Sequence, residues 1–218
     1  MYLVIAEKPS VSRAIARVIR AENREEGFLS GKDCIVSWCL GHLAEYLPPD
    51  GYDKRYESWK YEDLPIIPDE WKLAVSQEKK EQFYTLKRLL NSPDVEYVVN
   101  ACDAGREGEL IFRRVYQLSG SRKPVKRLWV SSMEDSAIRA GMEQLKDAEE
   151  YRNLAEAAVC RAKADWLVGM NATRAFTTKY YKKLTVGRVQ TPTLAMLVDR
   201  MEQIKKFRKE KYFNVELD

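Results

Sequence analysis

Short apolar runs alternate with amphipathic stretches along the first two thirds of the chain. Tyr2 to Ala6 is an unbroken apolar run, the pattern of a strand covered on both faces. Pro9-Ser10 then opens a segment with apolar residues at Val11, Ala14, Ile15, Val18 and Ile19, which is the spacing of one helical face. Cys34 to Leu40 predicts a further strand, closed by Gly41. Residues 47–71 mix prolines, aromatics and charges and predict a long ordered loop. Val95 to Ala101 has the clearest pattern of a buried strand, and it runs straight into Asp103-Ala104-Gly105-Arg106-Glu107-Gly108-Glu109. The following helix carries Leu110, Ile111, Val115 and Leu118. Arg127 to Val130 predicts another strand, and Ser131-Ser132-Met133-Glu134 has the form of a capping box before a helix through Leu145.

Strands alternating with helices predict an α/β domain with a mainly parallel sheet over residues 1–147. Beyond Ala148 the period changes. A long helix is expected through Tyr151, Leu154, Ala158, Ala162 and Trp166 towards Phe176, then a second with Leu194, Leu197, Val198 and Met201 on one face. Pro192 and Thr193 are expected at the start of that second helix. Tyr212 to Leu217 reads as a strand cut short, so residues 148–218 are expected to be part of a mainly helical domain. There is no internal repeat and no low-complexity segment.

Composition refines this picture. A hydrophobic fraction of 45% with 11% aromatics is enough for a sizeable core. No apolar run approaches the roughly eighteen residues of a membrane span. The opening residues lack a basic stretch before a long apolar one and read as a strand, not a signal peptide. Cys34, Cys39, Cys102 and Cys160 form no Cys-x-x-Cys pair, so buried thiols in a reducing cytosol are expected, not a zinc site. Residues 151–218 carry 14 Lys and Arg against 7 Asp and Glu, a balance of +7. With +4 overall, residues 1–150 are left at −3. An acidic front and a basic back suit a carboxylate site beside a polyanion track, although charge alone favours a solvated surface.

Ligands of open α/β sheets collect at the carboxyl ends of strands. Glu7 follows the first strand; Asp103 and Glu107 follow the strand at Val95. Oxygen-only ligands of this kind suit Mg²⁺, which keeps several waters and bridges to phosphate. Lys8 would place a point charge on a phosphate oxygen. A single carboxylate in such a place is usually a cap or a surface group. Three of them, with a lysine and a glycine-bearing turn, point to metal and phosphate.

Ile5-Ala6-Glu7-Lys8-Pro9-Ser10 and Asp103-Ala104-Gly105-Arg106-Glu107-Gly108-Glu109 resemble the two acidic signatures of the TOPRIM fold in type IA DNA topoisomerases. Ser37-Trp38-Cys39-Leu40-Gly41-His42-Leu43, Arg161 to Leu167, Asn171 to Ala175 and Gly187-Arg188-Val189-Gln190-Thr191-Pro192-Thr193 resemble the topoisomerase III branch, in order along nearly the whole chain. The resemblance implies a Rossmann-like TOPRIM domain followed by a partial, mainly helical DNA-binding domain. It implies Glu7, Lys8, Asp103 and Glu107 as catalytic residues, with Glu7, Asp103 and Glu107 holding Mg²⁺. Two departures stand out. Gly105 occupies the place of the family's second aspartate, which puts a second metal in doubt. None of the twelve tyrosines has the Tyr-Pro-Arg-Thr-like context of the family's nucleophile, so this chain alone is expected to bind DNA without cleaving it.

Single-stranded DNA is held by positive charge along its backbone and by aromatic faces under its bases. Arg174, Arg188 and Gln190 supply charge and donors; Trp59 and Trp166 supply faces, against core packing as their ordinary role. In the resemblance, Thr185, Val186, Gly187, Arg188, Val189 and Gln190 line the strand's groove with the helix from Asp165 to Arg174, Trp59 matches a position near DNA, and His42 is structural. No nucleotide cofactor is implied, because no GxxxxGK[ST] loop is present. The expected partner is single-stranded DNA, with no membrane, in the cytoplasm at the nucleoid. A primase- or nuclease-like TOPRIM protein would lack the Gly187-Arg188-Val189-Gln190 segment. A non-catalytic single-strand-binding module with a decayed metal site is the rival from another class.

Overall fold

The computed structural model describes residues 1–217. They divide into two compact units, one of Met1–Glu57 with Pro68–Lys163, the other of Ser58–Ile67 with the chain from Ala164 onward. In the first unit β1 (Tyr2–Ala6), α1 (Pro9–Ile19), β2 (Asn23–Glu25), β3 (Phe28–Ser30) and β4 (Cys34–Trp38) follow one another. A small antiparallel pair, β5 (Ala44–Tyr46) and β6 (Leu73–Val75), brackets the loop at 47–71, which holds three short 3-10 turns. Then come α2 (Lys80–Leu90), β7 (Tyr97–Ala101), α3 (Arg106–Ser119), β8 (Val125–Arg127), α4 (Asp135–Glu143) and β9 (Lys146–Asp147). Helix α5 (Arg152–Tyr180) carries the chain from the first unit into the second, where α6 (Gln190–Lys206) follows.

The seven-stranded sheet has the order β2-β3-β4-β1-β7-β8-β9. Its middle, β4-β1-β7-β8, is parallel, while the edge pairings β2-β3, β3-β4 and β8-β9 are antiparallel. Both faces are covered, which is why β1 reads as a continuous apolar run and β7 as one broken only at Asn100, whose amide bonds the buried Glu109. Side-chain alternation assigns Leu3, Ile5 and Val98 to one core with Leu86, Ile111, Phe112 and Val115 of α2 and α3. Val4, Ala6, Val99 and Ala101 go to the opposite core with Ile15 and Ala16 of α1 and Ile138 of α4. The chain leaving β1 therefore turns to one face, and the chain leaving β7 turns to the other. In a parallel sheet that divergence opens a crevice at the strand ends, here between β1 and β7.

Several local expectations shift. The strand expected at Arg127–Val130 is β8, Val125–Arg127, because Arg127 turns its side chain into the core and the chain leaves the sheet after the Leu128 N–H bonds Asn100 O at 3.0 Å. The capping box is not formed: Glu134 itself is the cap residue without a side-chain bond, and Ser132 Oγ accepts its N–H at 3.3 Å. Helix α4 stops at Glu143 because Lys146–Asp147 pairs with β8. Residues 207–217 form no strand and carry no ladder partner among the described residues. Helix α2, with Phe83, Leu86, Leu89 and Leu90 buried, adds an element to those expected.

Candidate functional site

Glu7 and Lys8 occupy the two residues between β1 and α1, and Pro9 sets the first turn of that helix. The Glu7 side chain is buried, with Oε1 3.3 Å from Lys8 Nζ, while the Lys8 ammonium end stays in solvent. On the adjacent strand, Asp103 lies in the turn from β7 to α3, and Glu107 stands in the first turn of α3. Ala6 and Ala101 are register partners, so the two turns start side by side. Each is followed by a helix N-terminus, where free N–H groups and the macrodipole favour anions. Gly108 lets α3 begin this close: a Cβ there would run into the backbone of Asp103.

The third element is the loop after β4. Gly41 N–H bonds Glu7 O at 3.3 Å, and Lys79 Nζ bonds His42 O at 2.9 Å. His42 Nε2 lies 2.5 Å from Glu107 Oε1, so this histidine faces the acidic turn after β7. Its position after a strand end, beside Gly41, was the signal available in the sequence.

Behind the cluster, Arg127 holds the end of β7 in place. Its NH1 donates to the carbonyls of Asn100, Cys102 and Leu128 at 2.9, 2.7 and 2.8 Å, and NH2 donates to Asp103 O at 2.7 Å. Nε stands 2.7 Å from Glu109 Oε1 as an ion pair, without hydrogen-bond alignment. Glu109, equally buried, also accepts from Asn100 Nδ2 and Arg113 Nε at 3.0 Å each. Burial pulls the Arg127 guanidinium below its ordinary pKa, and the Glu109 charge opposes that shift. The Cys102 thiol is held well above its ordinary pKa, first by its hydrogen bond with Cys39 and then by burial, so it stays protonated and supplies no thiolate to the site. Cys34, Cys39 and Cys102 are buried, and Cys160 is exposed.

Glu7, Asp103 and Glu107 do not converge into a ready metal cage; among the described residues no group of three such side chains is placed to hold an ion. Their chemistry still suits Mg²⁺, which needs only one or two carboxylates when water and phosphate complete its shell.

In the second unit, Asn171 fastens the segment Ser58–Ile67 to α5. Its Oδ1 accepts Ile66 N–H at 2.6 Å and its Nδ2 donates to Ile66 O at 2.9 Å, in the manner of a strand neighbour. Trp59, 41% exposed, lies over the buried Arg174 guanidinium, with Cζ 4.9 Å from the ring centroid. Core packing is therefore not the role of Trp59, whereas Trp166 is half-buried. The loop Thr185–Gln190 runs back along α5: Val186 N–H bonds Thr173 Oγ1 at 3.0 Å, and Gly187 N–H bonds Thr191 Oγ1 at 3.0 Å. Arg188 pairs with Asp165 at 2.5 and 3.3 Å, which raises its pKa through the hydrogen bond and the charge. Thr185, Val189 and Gln190 are exposed, with Val186 and Gly187 partly covered. Pro192 falls inside the first turn of α6, which begins at Gln190.

Residues 2–133 match the family model described as "Toprim domain", and residues 149–218 match the one described as "DNA topoisomerase". The chain is 49% identical over 213 residues to DNA topoisomerase 3 of Bacillus subtilis and 50% identical over 213 residues to that of Bacillus licheniformis. Each match covers 98% of this chain and 29% of the relative, so the chain spans less than a third of their length. Full-length topoisomerase I from Thermotoga maritima has the same fold, with a TM-score of 0.64 at 21% identity over 94% of this chain and 31% of that one. With the sheet, the acidic turns and these similarities together, the chain belongs to the Toprim family and corresponds to the Toprim-bearing part of type IA topoisomerases of the topoisomerase 3 kind.

Proposed function

We propose that this chain is the metal- and single-strand-binding part of an enzyme that cuts one DNA strand, passes another through the gap and reseals it without a nucleotide cofactor. The observation that carries the reading is the pairing of Glu7-Lys8 and Asp103/Glu107 on adjacent strand ends, each beside a helix N-terminus, at the point where the sheet's connections diverge. A phosphodiester in that crevice meets the Lys8 ammonium and two sets of helix N–H groups. Glu7 would exchange a proton with the leaving 3′-oxygen or bind metal, and Asp103 and Glu107 would hold Mg²⁺. When bound, the ion supplies positive charge that positions the broken strand for resealing. No residue of this chain is assigned as the nucleophile, since no tyrosine here sits in the expected context. The second unit offers Trp59, Trp166 and the loop Thr185–Gln190 to single-stranded DNA; Arg174, expected to meet the strand directly, is buried and instead backs the Trp59 ring. Such a protein would work in the cytoplasm at the nucleoid.

The rival reading of a binding module with a decayed metal site draws on Gly105 and on the dispersed carboxylates. Fluorescence anisotropy with an oligo-dT probe, with and without MgCl₂, tests the proposal. Salt-sensitive binding is expected because phosphate contacts release counterions. The chain alone should relax no supercoiled plasmid. Binding that ignores salt, or relaxation by a preparation cleared of other topoisomerases, would overturn the assignment.

A further inference from the structure

The C-terminal end of α5 carries a feature that the track at Trp59, Arg174 and Arg188 does not use. A hollow of about 590 Å³ opens there among Tyr61, Phe176, Lys179, Tyr180 and Tyr181, all within the second unit. Its aromatic residues are turned to solvent: Phe176 is 47% exposed, Tyr61 60%, Tyr180 61% and Tyr181 95%. Phe176 and Tyr180 stand one helical turn apart with rings already stacked, centroids 6.0 Å apart and planes 18° from parallel. Tyr181 ends the helix with φ at 52°, a left-handed conformation that glycine adopts freely and a bulky aromatic does not. Terminating a helix does not require a tyrosine there; presenting a ring to solvent beside two others does.

The surrounding charge selects the occupant. From residue 166 to residue 198 the sequence has no Asp or Glu, while Lys179, Lys182 and Lys183 cluster at this end of α5 and Arg174 and Arg188 precede and follow them. The only carboxylates close in sequence to the hollow are Glu62 and Asp63 beside Tyr61, which leaves the lysine side as the path for phosphates. Flat aromatic faces next to lysines that form no ion pair among the described residues match a polynucleotide with unpaired bases, since every base has a face to stack and every step a phosphate. A protein segment seated here would need an acidic partner for the lysines as well as apolar side chains.

We propose that this hollow is a base-stacking subsite that extends the single-strand track past Arg174, accepting one or two unpaired bases against Phe176, Tyr180 and Tyr181 with their phosphates on Lys179, Lys182 and Lys183. It rests on the reading of the second unit as a single-strand binder.

The test uses the 218-residue chain, an oligo-dT probe and the double variant Phe176→Leu/Tyr180→Leu, with Arg188→Ala as the control on the underlying reading. Both substituted side chains are about half exposed or more, and circular dichroism checks that the helix is kept. Loss of stacking lowers affinity by about tenfold at every salt concentration and leaves the slope of log K against log salt unchanged, because no charge is removed. Illuminating a 5-iodouracil-substituted probe on the wild-type chain should place crosslinks on peptides containing Phe176, Tyr180 or Tyr181. If Arg188→Ala weakens binding while the double variant binds as the wild type does, the subsite is wrong and the track stands. If the wild type does not bind the probe, both are wrong. Crosslinks confined to Trp59 or to the loop at Thr185–Gln190 would also overturn the subsite, leaving the hollow to another segment of protein.

Discussion

His42 Nε2 and Glu107 Oε1 lie 2.5 Å apart, joining the loop after β4 to the first turn of α3. The contact leaves Oε2 of Glu107 unengaged by His42, and Lys79 anchors the histidine's own backbone through a 2.9 Å bond to its carbonyl. A carboxylate held on one oxygen and open on the other is oriented for a cation.

His42→Ala should therefore lower Mg²⁺ affinity about tenfold, the range in which an outer hydrogen-bond partner of a ligand acts. His42→Gln, which keeps a donor, should recover part of the loss. Calorimetric titration reads both. An unchanged or tighter affinity in His42→Ala would mean that the imidazole competes with the metal for Glu107 and does not orient it.

The sequence pattern located the sheet's middle and both acidic turns because β1 and β7 are covered on both faces, and burial leaves an unbroken apolar signature in Leu3–Ala6 and one interrupted only by Asn100 in Val98–Ala101. Short edge strands leave no such signature. Asn23–Glu25 is fully exposed, and β9 is two residues long, so each is held by ladder bonds to a neighbour and not by its own side chains. Arg127 misled for the opposite reason. Expected at the start of a strand, it ends one, fully buried, with its guanidinium closing the end of β7. The resemblance gives His42 no catalytic role, and its contact with Glu107, 65 residues away, spans a distance that periodicity does not reach.

Arg127→Met should cost about 3–5 kcal/mol, because it strands the buried Glu109 carboxylate and frees three carbonyls at the end of β7. Adding Glu109→Gln should return part of that loss, since the uncompensated charge disappears while the carbonyls stay unpaired. Urea unfolding of the two variants beside wild type measures it. Equal stability of Arg127→Met and wild type would show that the guanidinium network contributes nothing net.

Asp165→Asn should strengthen binding of single-stranded DNA. Asp165 now occupies Arg188 through contacts of 2.5 and 3.3 Å, and both side chains are partly in solvent, so a phosphate must displace the carboxylate to reach the guanidinium. Removing that competitor should raise affinity a few-fold at low salt, and the gain should shrink as salt rises and screens the freed charge. Anisotropy titrations at two or more salt concentrations read this. Weaker binding by Asp165→Asn would instead make the ion pair a support that holds Arg188 in its working position.

Gly105→Asp should tighten Mg²⁺ binding without loss of stability. The glycine sits at φ 174° and ψ 178°, an extended conformation open to any residue, and a Cβ built there meets nothing within 4 Å. Backbone strain is therefore not the reason for glycine. Gly105 is also the cap residue of α3, where aspartate is preferred over glycine and where its negative charge faces the positive end of the helix dipole. These terms, with the smaller freedom of a non-glycine chain when unfolded, favour the variant by about 0.5 kcal/mol or more. A carboxylate two residues after Asp103 would add an oxygen ligand at the strand ends that carry Glu7, Asp103 and Glu107, whose side chains form no ready cage, and a bound divalent ion would offset the added negative charge. Calorimetry on wild type, Gly105→Asp and Asp103→Asn, with a melting curve for each, measures both quantities. A raised melting temperature with unchanged affinity would place the new carboxylate on the helix end and away from the ion. Unchanged affinity in Asp103→Asn would remove Asp103 from the site altogether.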